Sequence, residues 1–480
     1  MVVNKMNWIG LPALLLLLLF NTGTSQSIIK TLPGYSGTLP FKLETGYIGV
    51  GENDEVQLFY YFVESENNPK TDPLIFWISG GPGCSGLSTL VYETVCFCTG
   101  PFYYDVADFD GSLPSILPNP YSWTKLYGFQ VASIIFIDSP VGTGFSYANT
   151  SKGYSSSDKK SAKDNYTFLR KWLLNHPMLS KNRLYVAGES YGGKLVPMVA
   201  MEILLGNEAG LRPRMSLQGY IIGNGLTDPN IDYNERIPIA HRLALISDEY
   251  FELAKVSCGG KYDNPDPNNV QCLLALQPIK ECVNQINEGH ILEPKCKRLP
   301  KTDNFGWDLT FSKDDSVDHL VLQVSKQDRQ WCRSQNYESC YVWANDLTVQ
   351  EALRIRKGTI GEWMRCNRSI SYEVNQKSVL HYHEIFSNKG YNVLIYNGDH
   401  DLLIPYMGPL KWIRNLSMTI DDDWRPWHVN GQVAGYTMKH KKNEFNLTFV
   451  TVKGAGHTPP EYKPKECLAM IHRWLSTRLL

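Results

Sequence analysis

The stretch Val186-Ala-Gly-Glu-Ser-Tyr-Gly-Gly193 decides the fold of this chain. Its Gly-x-Ser-x-Gly core follows an apolar, β-prone run at 184–187 and precedes a helix-compatible run at 194–205. A serine placed between a strand and a helix in this pattern lies on a sharp turn, the nucleophile elbow, and the tightness of the turn requires small neighbours. The turn holds Oγ of Ser190 clear of the sheet and leaves the backbone N–H of Tyr191 available to an oxyanion.

Length and charge bound the class of protein. The chain has 480 residues, with 47 Lys and Arg against 48 Asp and Glu, and a formal net charge of -1. This length suffices for a large core, either in two domains or in one large α/β domain that carries an insertion. Because no basic face is apparent, we expect no nucleic acid among the partners.

The N-terminus predicts a secretory signal peptide over residues 1–25. Lys5 supplies a positive charge, residues 8–20 are apolar, and Gly23-Thr-Ser25 offers small residues for cleavage. The apolar run is short for a membrane span, so a single-span anchor is the less favoured alternative. We therefore expect a mature protein that is secreted or vacuolar and has no membrane segment.

Cysteines and glycosylation sequons point to the same route. The chain has eleven cysteines, most of which should pair in an oxidising compartment, and their spacing shows no zinc-ribbon pattern. Five Asn-x-Ser/Thr sequons predict surface glycosylation. These are Asn149, Asn165, Asn367, Asn415 and Asn446.

Buried strands that end in glycine-rich turns organise the rest of the chain. Continuous apolar runs at 73–79 and 133–138 end in Gly80-Gly-Pro-Gly83 and Ser139-Pro-Val-Gly142, as in strands buried on both faces. Alternation of such strands with helices predicts a doubly wound, mostly parallel sheet with its functional residues at the strand carboxyl ends. The other predicted strands are 41–50, 56–64, 184–187, 217–222, 392–396 and 445–452, and the predicted helices are 157–175, 194–205, 347–356 and 465–479.

An insertion interrupts this pattern. Between about Pro229 and Trp343 strand-like runs vanish, six cysteines occur, and residues 297–330 are polar and loop-like. We interpret 229–343 as an inserted, disulfide-stapled helical cap. The two parts of the core are then 26–228 and 344–480.

A serine nucleophile needs a base and a carboxylate that orients the base. Two later strands end in Gly398-Asp-His-Asp401 and Gly454-Ala-Gly-His457, which match the order Ser, Asp, His of the α/β-hydrolase fold. We therefore predict that fold, with Ser190, Asp401 and His457 as the catalytic residues. Asp399 is the competing acid, but it lies nearer the strand end, where it would bond the turn.

The turn after the strand at 73–79 should supply the second oxyanion donor. Glycine lets the backbone approach the reacting carbonyl, and we assign the N–H to Gly81, beside Gly80. His400, between two aspartates, suggests either a metal site or local turn hydrogen bonds, and the second is favoured. Asp421-Asp-Asp423 is interpreted as a solvated loop. No metal or organic cofactor is predicted.

Five motifs together resemble the serine carboxypeptidase-like family over essentially the whole mature chain. They are GGPGCSG at 80–86, DSPVGTGFSY at 138–147, GESYGG at 188–193, GDHD at 398–401 and GAGHTPPEYKP at 454–464. A second set is similar to the plant acyltransferase branch, and comprises WCR at 331–333, WAND at 343–346, EWMRCNRS at 362–369 and DDWRPWHVNGQVAGY at 422–436. The resemblance implies transfer of an acyl group from a 1-O-glucose ester to an alcohol or amine acceptor.

The resemblance also implies a substrate-binding set. In the carboxypeptidase branch an Asn before the Gly-Gly-Pro turn and two glutamates, matched here by Glu93 and Glu189, hold the terminal carboxylate of a peptide. Ser79 occupies the Asn position, and a lost hydrogen bond to a charged group costs about 1.5–3 kcal/mol. Ser79 therefore favours the transferase. Glu189 favours the alternative, a carboxypeptidase active at acidic pH, and a general esterase of the same fold is a further rival.

Three disulfides follow from the resemblance. It pairs Cys84 with Cys366, Cys258 with Cys272, and Cys296 with Cys332. Two stretches, 94–99 and 126–130, depart from the family pattern as extra sequence.

Overall fold

The computed structural model describes residues 26–91, 99–106, 109–125, 132–296 and 333–480. The predicted signal peptide, Glu93, Cys332 and the loop at 297–330 lie outside the described residues. So do Trp331 and almost all of the two departing stretches.

A large mixed sheet forms the centre of the described structure. Its strand order is β1-β2-β3-β7-β4-β10-β11-β13-β16-β15-β14, and β8 pairs with β3. Six neighbouring strands run parallel to one another, namely β7, β4, β10, β11, β13 and β16. The described strands are β1 Ser27–Ile29, β2 Leu43–Val50, β3 Val56–Val63, β4 Leu74–Ile78, β5 Phe102–Tyr104, β6 Ile116–Pro118, β7 Ser133–Ile137, β8 Tyr147–Ala148, β9 Ser156–Ser157, β10 Leu184–Glu189, β11 Leu217–Gly223, β12 Tyr372–Glu373, β13 Asn392–Gly398, β14 Thr419–Val429, β15 Gln432–Lys442 and β16 Phe445–Val452.

Helices cover both faces of this sheet. The described α-helices are α1 Gly86–Val91, α2 Asp158–Asn175, α3 Gly192–Glu208, α4 Pro229–Asp232, α5 Arg236–Arg242, α6 Asp248–Cys258, α7 Val270–Val283, α8 Arg333–Asn345, α9 Leu347–Ala352, α10 Leu380–Ser387, α11 Met407–Arg414, α12 Pro459–Tyr462 and α13 Pro464–Leu475. Short 3-10 turns are Glu52–Asp54, Lys152–Tyr154 and Pro177–Leu179. The predicted α/β-hydrolase fold with its doubly wound, mostly parallel sheet is confirmed.

Alternation along the central strands builds two cores. In β10, Leu184 and Val186 pack with α2 and α3 on one face, whereas Tyr185 and Ala187 pack with α1 and α13 on the other. Successive side chains of a strand point to opposite faces, so a run that is apolar at every position must be covered on both. This explains the continuous apolar runs of β4 and β7, which predict these two strands.

Strand register places the carboxyl ends of the parallel strands at one edge. Glu189, at the end of β10, lies opposite Gly223 of β11, and Gly398, at the end of β13, lies opposite Val452 of β16. The turns that follow these strands therefore meet above the same edge.

One predicted loop is a strand. Asp421–Asp423 fall within β14, which pairs with β15 in a long hairpin at the edge of the sheet. Asp421 and Asp423 are exposed and Asp422 is half-buried. Three acids in a row are typical of a solvated loop, but charged residues are also common on edge strands, where they discourage pairing with other chains. The interpretation of this segment as a loop is therefore wrong.

Helices α5 to α7 carry a separate apolar cluster in the region predicted as the cap. The disulfide between Cys258 and Cys272 joins α6 to α7, as the family resemblance implied. Their cluster meets the core at Leu402. The division of the chain at residues 229 and 343 stays a prediction.

The five predicted glycosylation sites differ in accessibility. Asn149, Asn415 and Asn446 are exposed, and Asn367 is half-buried, with Nδ2 donating to the carbonyl of Gly142. Asn165 is fully buried on the inner face of α2, where Nδ2 donates to Ser139 Oγ and to the carbonyl of Ser161. A glycan attaches through that nitrogen, so the prediction for Asn165 is wrong.

Candidate active site

Ser190 lies on a strained turn between β10 and α3. Its φ of 53° is in the left-handed region, which residues other than glycine rarely occupy except where the surroundings impose it. Its backbone N–H donates to the carbonyl of Gly223, and its own carbonyl accepts from Leu226. A Cβ on Gly188 or on Gly192 would lie 2.5 or 2.6 Å from the carbonyl oxygen of Ile78. The two outer glycines of the motif are therefore required by packing against β4.

The structure brings the three predicted catalytic residues into one hydrogen-bonded chain. Nε2 of His457 lies 2.9 Å from Oγ of Ser190, and Nδ1 of His457 lies 2.8 Å from Oδ2 of Asp401. All three are buried, Asp401 completely. This geometry suits proton transfer from the serine to an imidazole that a carboxylate orients.

Asp401 has additional partners that fix its carboxylate. Oδ1 accepts from the N–H of Leu403, and Oδ2 accepts from the N–H of Ile404 and from Nδ2 of Asn224 at 2.7 Å. Asn224 also accepts from the N–H of Gly398 and has a φ of 38°. Sequence reasoning missed this positioning role, for which the Gly-Asn-Gly turn at the end of β11 is the available signal.

The electrostatic surroundings keep His457 basic. Burial alone would lower its pKa, but the negative charge of Asp401, the hydrogen bond to it and the charge of Glu189 outweigh burial. The pKa of His457 is therefore raised above its usual value of about 6.5. A raised pKa makes the imidazole a stronger proton acceptor.

The predicted oxyanion donors flank Ser190. A Cβ on Gly80 would lie 2.6 Å from Cβ of Ser190, so the turn after β4 packs directly against the serine. Gly81 has a φ of +110°, which requires glycine. Among the described residues, neither the N–H of Gly81 nor that of Tyr191 donates a hydrogen bond within the protein. Both amides are thus available to a ligand, and their oxyanion role stays a prediction.

A buried carboxylate and a disulfide secure that turn. Asp138 accepts from Ser85 Oγ at 2.6 Å and from the N–H groups of Gly86 and Phe145. Burial raises the pKa of Asp138 to about 6, against the opposing effect of these donors. The disulfide from Cys84 to Cys366 ties the turn to the second half of the chain, as the resemblance implied. Cys296 is described, but its predicted partner Cys332 is not.

The predicted substrate-binding residues are only partly placed. Ser79 is buried, and its Oγ lies 2.9 Å from Oγ1 of Thr89 in α1. Glu189, also buried, is the last residue of β10 and precedes the serine. Glu93 lies outside the described residues.

A segment of the predicted cap contacts both loops that carry the predicted acid and base, Asp401 and His457. We call residues 288–291 the brace. The carbonyl of Gly289 accepts from the N–H of His457 at 2.7 Å, the carbonyl of Glu288 accepts from the N–H of Leu402, and the N–H of Ile291 donates to the carbonyl of His400. Backbone contacts of this kind leave no signal in sequence.

The alternatives to the triad find other roles. Asp399 accepts from the N–H of Gly454 and lies 2.7 Å from Nδ1 of His400, so it bonds the turn. Within the described ranges, no group of three or more His, Cys, Asp or Glu side chains is arranged to hold a metal ion. No described helix is both long and apolar enough to cross a membrane.

Fold and site together define an α/β-hydrolase in which Ser190, His457 and Asp401 form one hydrogen-bonded chain. The chain belongs to the serine carboxypeptidase family, whose sequence profile matches residues 33–477.

Relatives agree with this assignment over nearly the full length. Serine carboxypeptidase-like 2 from Arabidopsis thaliana is 47% identical over 452 residues, which cover 94% of this chain and 93% of the relative. Serine carboxypeptidase-like 17 from the same plant is 44% identical, with 98% of each chain covered. The solved structure of Kex1(delta)p, a prohormone-processing carboxypeptidase from Saccharomyces cerevisiae, matches with a TM-score of 0.66 at 20% identity and covers 91% of this chain and 92% of its own. At that identity the structural match bears on the fold alone.

Proposed function

We propose that this protein is an acyltransferase that moves an acyl group from a 1-O-glucose ester to an alcohol or amine acceptor through an acyl-enzyme on Ser190. The observation that carries the proposal is the chain of hydrogen bonds from Ser190 Oγ through His457 to Asp401, at 2.9 and 2.8 Å. Such a chain supports covalent acyl transfer.

Each half-reaction uses the same groups. Nε2 of His457 takes the proton of Ser190 while Oγ attacks the ester carbonyl, and the N–H groups of Gly81 and Tyr191 stabilise the oxyanion. The bond from the acyl carbon to the glucose oxygen then breaks, and that oxygen takes the proton from His457. The acceptor O–H or N–H next gives its proton to His457 and attacks the acyl carbon. The bond from that carbon to Oγ of Ser190 then breaks, and Oγ takes the proton back from His457.

Positioning of the acceptor decides between transfer and hydrolysis. Water competes for the acyl-enzyme at roughly tens of molar, whereas groups held in an attacking geometry reach effective concentrations of about 10⁵ M and above. A bound acceptor therefore outcompetes water. Donor and acceptor are the proposed partners, and no step needs a metal or an organic cofactor.

Ser79 supports transfer over peptide cleavage. Its short hydroxyl is buried against Thr89 and has a partner there. A peptidase of this family would use a longer amide at this position to hold a terminal carboxylate. Loss of that contact weakens binding of a peptide and leaves binding of an uncharged sugar ester unaffected.

The second candidate function is a serine carboxypeptidase that releases C-terminal residues at acidic pH. Glu189 favours it, because this buried carboxyl group directly precedes the nucleophile. Two carboxyl groups that share a proton would suit acidic conditions.

We further propose that the protein follows the secretory route to the vacuole or the cell exterior. The N-terminal pattern, the two disulfides and the exposed sequons at Asn149, Asn415 and Asn446 support this route. In the mature chain, residues 229–343 would form a cap between core parts 26–228 and 344–480.

The test uses secreted, glycosylated protein with Ser190→Ala as the control. It receives benzoyl- and hydroxycinnamoyl-glucose with a pool of small-molecule acceptors and, in parallel, a blocked dipeptide at acidic pH. We expect new esters or amides that depend on Ser190, without cleavage of the dipeptide. Dipeptide cleavage alone would establish the peptidase, and release of free acid regardless of acceptor would establish an esterase.

A further inference from the structure

A buried charged cluster lies directly behind the nucleophile turn and has no part in the reaction described above. At its centre is Asp158, the first residue of α2. Its Oδ1 accepts from the hydroxyl of Tyr191 at 2.6 Å and from that of Tyr372 at 3.0 Å. Its Oδ2 accepts from the N–H of Gln376 at 2.8 Å and lies 3.5 Å from Nζ of Lys194.

This cluster fixes the side chain of Tyr191. The side chains of Asp158 and Lys194 are both completely buried, which makes their ion pair costly to break on one side only. Nζ of Lys194 also lies 3.3 Å from the Tyr191 hydroxyl and 4.8 Å from the centre of its ring. Burial raises the pKa of Tyr191, and neighbouring Tyr372 and Asp158 raise it further, so the phenol stays protonated and donates.

The position of residue 191 matters because its backbone N–H is one of the two proposed oxyanion donors. The peptide unit that carries this N–H begins at Ser190, whose positive φ is imposed by its surroundings. The next two residues, Gly192 and Gly193, have no side chains with which to hold the turn. The ring of Tyr191 is thus the nearest side chain after the serine that can anchor the donor.

We propose that Asp158 is a positioning residue for the oxyanion site. By accepting the Tyr191 hydroxyl while paired with Lys194, it holds residue 191 so that the backbone N–H points at the oxygen of the reacting acyl group. The inference rests on the proposed use of Ser190 as a nucleophile, and it does not depend on which ester is the donor.

The probe is diisopropyl fluorophosphate. Its rate of reaction with Ser190 depends on the nucleophile and on the oxyanion site, and no natural substrate is needed. Ser190 Oγ forms a bond to phosphorus, fluoride leaves, and His457 takes the serine proton. Removal of a whole oxyanion donor costs about 10²–10³ in rate. The Tyr191→Phe substitution keeps the backbone N–H of residue 191 but changes its orientation. We therefore expect the second-order rate constant of inactivation to fall roughly tenfold.

A matched control makes the same chemical change elsewhere. Tyr60, like Tyr191, is a buried tyrosine, and its hydroxyl donates to a buried carboxylate, that of Glu44, at 2.7 Å. We expect Tyr60→Phe to leave the inactivation rate within about twofold of wild type, since additive effects at separate sites stay small. Equal slowing in both variants, or none in Tyr191→Phe, would overturn the proposal.

A second variant tests whether the effect passes through Asp158. Asp158→Asn alone leaves Lys194 buried and unpaired and risks unfolding, so Asp158→Asn is combined with Lys194→Met, and thermal unfolding is recorded. We expect this variant to slow inactivation as Tyr191→Phe does, and the combination of all three changes to add little more. Fully multiplicative slowing would mean that the cluster and Tyr191 act independently, which contradicts the proposal.

Steady-state kinetics with the acyl-glucose donor then separate positioning from general damage. We expect the Tyr191→Phe variant to lose kcat with an unchanged KM, because the donor N–H acts in the transition state. A wild-type protein that reacts with the fluorophosphate but transfers no acyl group would refute the proposed function alone. A wild-type protein that does not react would refute the oxyanion inference as well.

Discussion

The two sides of the site differ in how closely their backbones are packed. On the serine side, glycines let turns and strand ends approach so closely that a Cβ on Gly80 would lie 2.6 Å from Cβ of Ser190. On the acid–base side, Asp401 and His457 are held by hydrogen bonds from Asn224 and from the brace.

This difference predicts two kinds of response to mutation. Close packing leaves no room for an added atom, so the serine side should fail when a side chain grows. Each hydrogen bond makes its own contribution to the free energy, so on the acid–base side the loss of activity should depend on which hydrogen bond is removed. The five predictions below run from the largest expected effect to the smallest.

Asp401→Asn should cause the largest loss on the acid–base side. An amide in place of the carboxylate no longer stabilises the imidazolium and favours the wrong tautomer of His457, which in a serine protease lowers kcat about 10⁴-fold. Acyl transfer from benzoyl-glucose measures the loss. Asp399→Asn is the control, because that carboxylate bonds the turn at Gly454. A larger loss in the control would make Asp399 the catalytic acid.

Gly80→Ala should break the serine side by adding one methyl group. The new Cβ would press on Ser190 and displace the turn that carries the N–H of Gly81, and the loss of one oxyanion donor costs about 10²–10³ in kcat. The matched control is Gly361→Ala, where nothing lies within 4 Å of the added atom. Near-normal kcat in Gly80→Ala would show that this side is not limited by packing.

Asn224→Gly should have an intermediate effect. It keeps a residue that tolerates the positive φ and removes the amide that donates to Asp401, a hydrogen bond to a charged group. A loss of about 1.5–3 kcal/mol corresponds to roughly ten- to a hundredfold in kcat/KM. Asn430→Gly, at a φ of 51° in the exposed turn between β14 and β15, makes the same change away from the site. If the two variants lose the same activity, Asn224 has no positioning role.

Activity should also depend on pH through the protonation of His457. The base must be neutral, so kcat/KM should fall about tenfold per pH unit below the pKa of His457, which is raised above 6.5. Because the charge of Glu189 contributes to that rise, Glu189→Gln should move the limb of the pH–rate profile to lower pH. A limb below pH 6.5 in the wild-type protein would contradict this assignment.

Stability should change with pH in the opposite sense to activity. The folded pKa of His457 lies above the unfolded one, so the contribution of the protonated ring is fully present below about pH 6.5 and is lost as pH rises through the folded value. Thermal unfolding of wild type and His457→Gln, recorded from about pH 5, below the unfolded pKa, to about pH 9, measures this contribution. An equal difference at all values would mean that His457 has the same pKa in both states.

Much of the site could be predicted from the sequence because its parts follow strands in chain order. Ser190, Asp401 and His457 each stand in a short glycine-containing motif after an apolar run. Asn224 could not be assigned a role in this way, because its Gly-Asn-Gly turn is no part of the Ser, Asp, His order and nothing in it points to Asp401, 177 residues further along the chain. Only the packed sheet brings these two together.

Two errors have local physical causes. Asn165 satisfies the sequon, but it lies one helical turn from buried Ser161 and Leu169, so α2 turns it inward. The acids at 421–423 resemble a solvated loop in sequence, because runs of charged residues occur both in loops and on edge strands. The local sequence alone distinguishes neither a buried sequon from an exposed one nor an edge strand from a loop.

The brace has a consequence for recombining this chain with its relatives. The carbonyl of Glu288 accepts a hydrogen bond from the N–H of Leu402, and the carbonyl of Gly289 accepts one from the N–H of His457. Glu288 and Gly289 both lie within the predicted insertion. A chimera that exchanges the whole of 229–343 would therefore also replace the brace, and with it the backbone hydrogen bond that holds His457. The transplantable unit is smaller than the insertion, and it should end before residue 288.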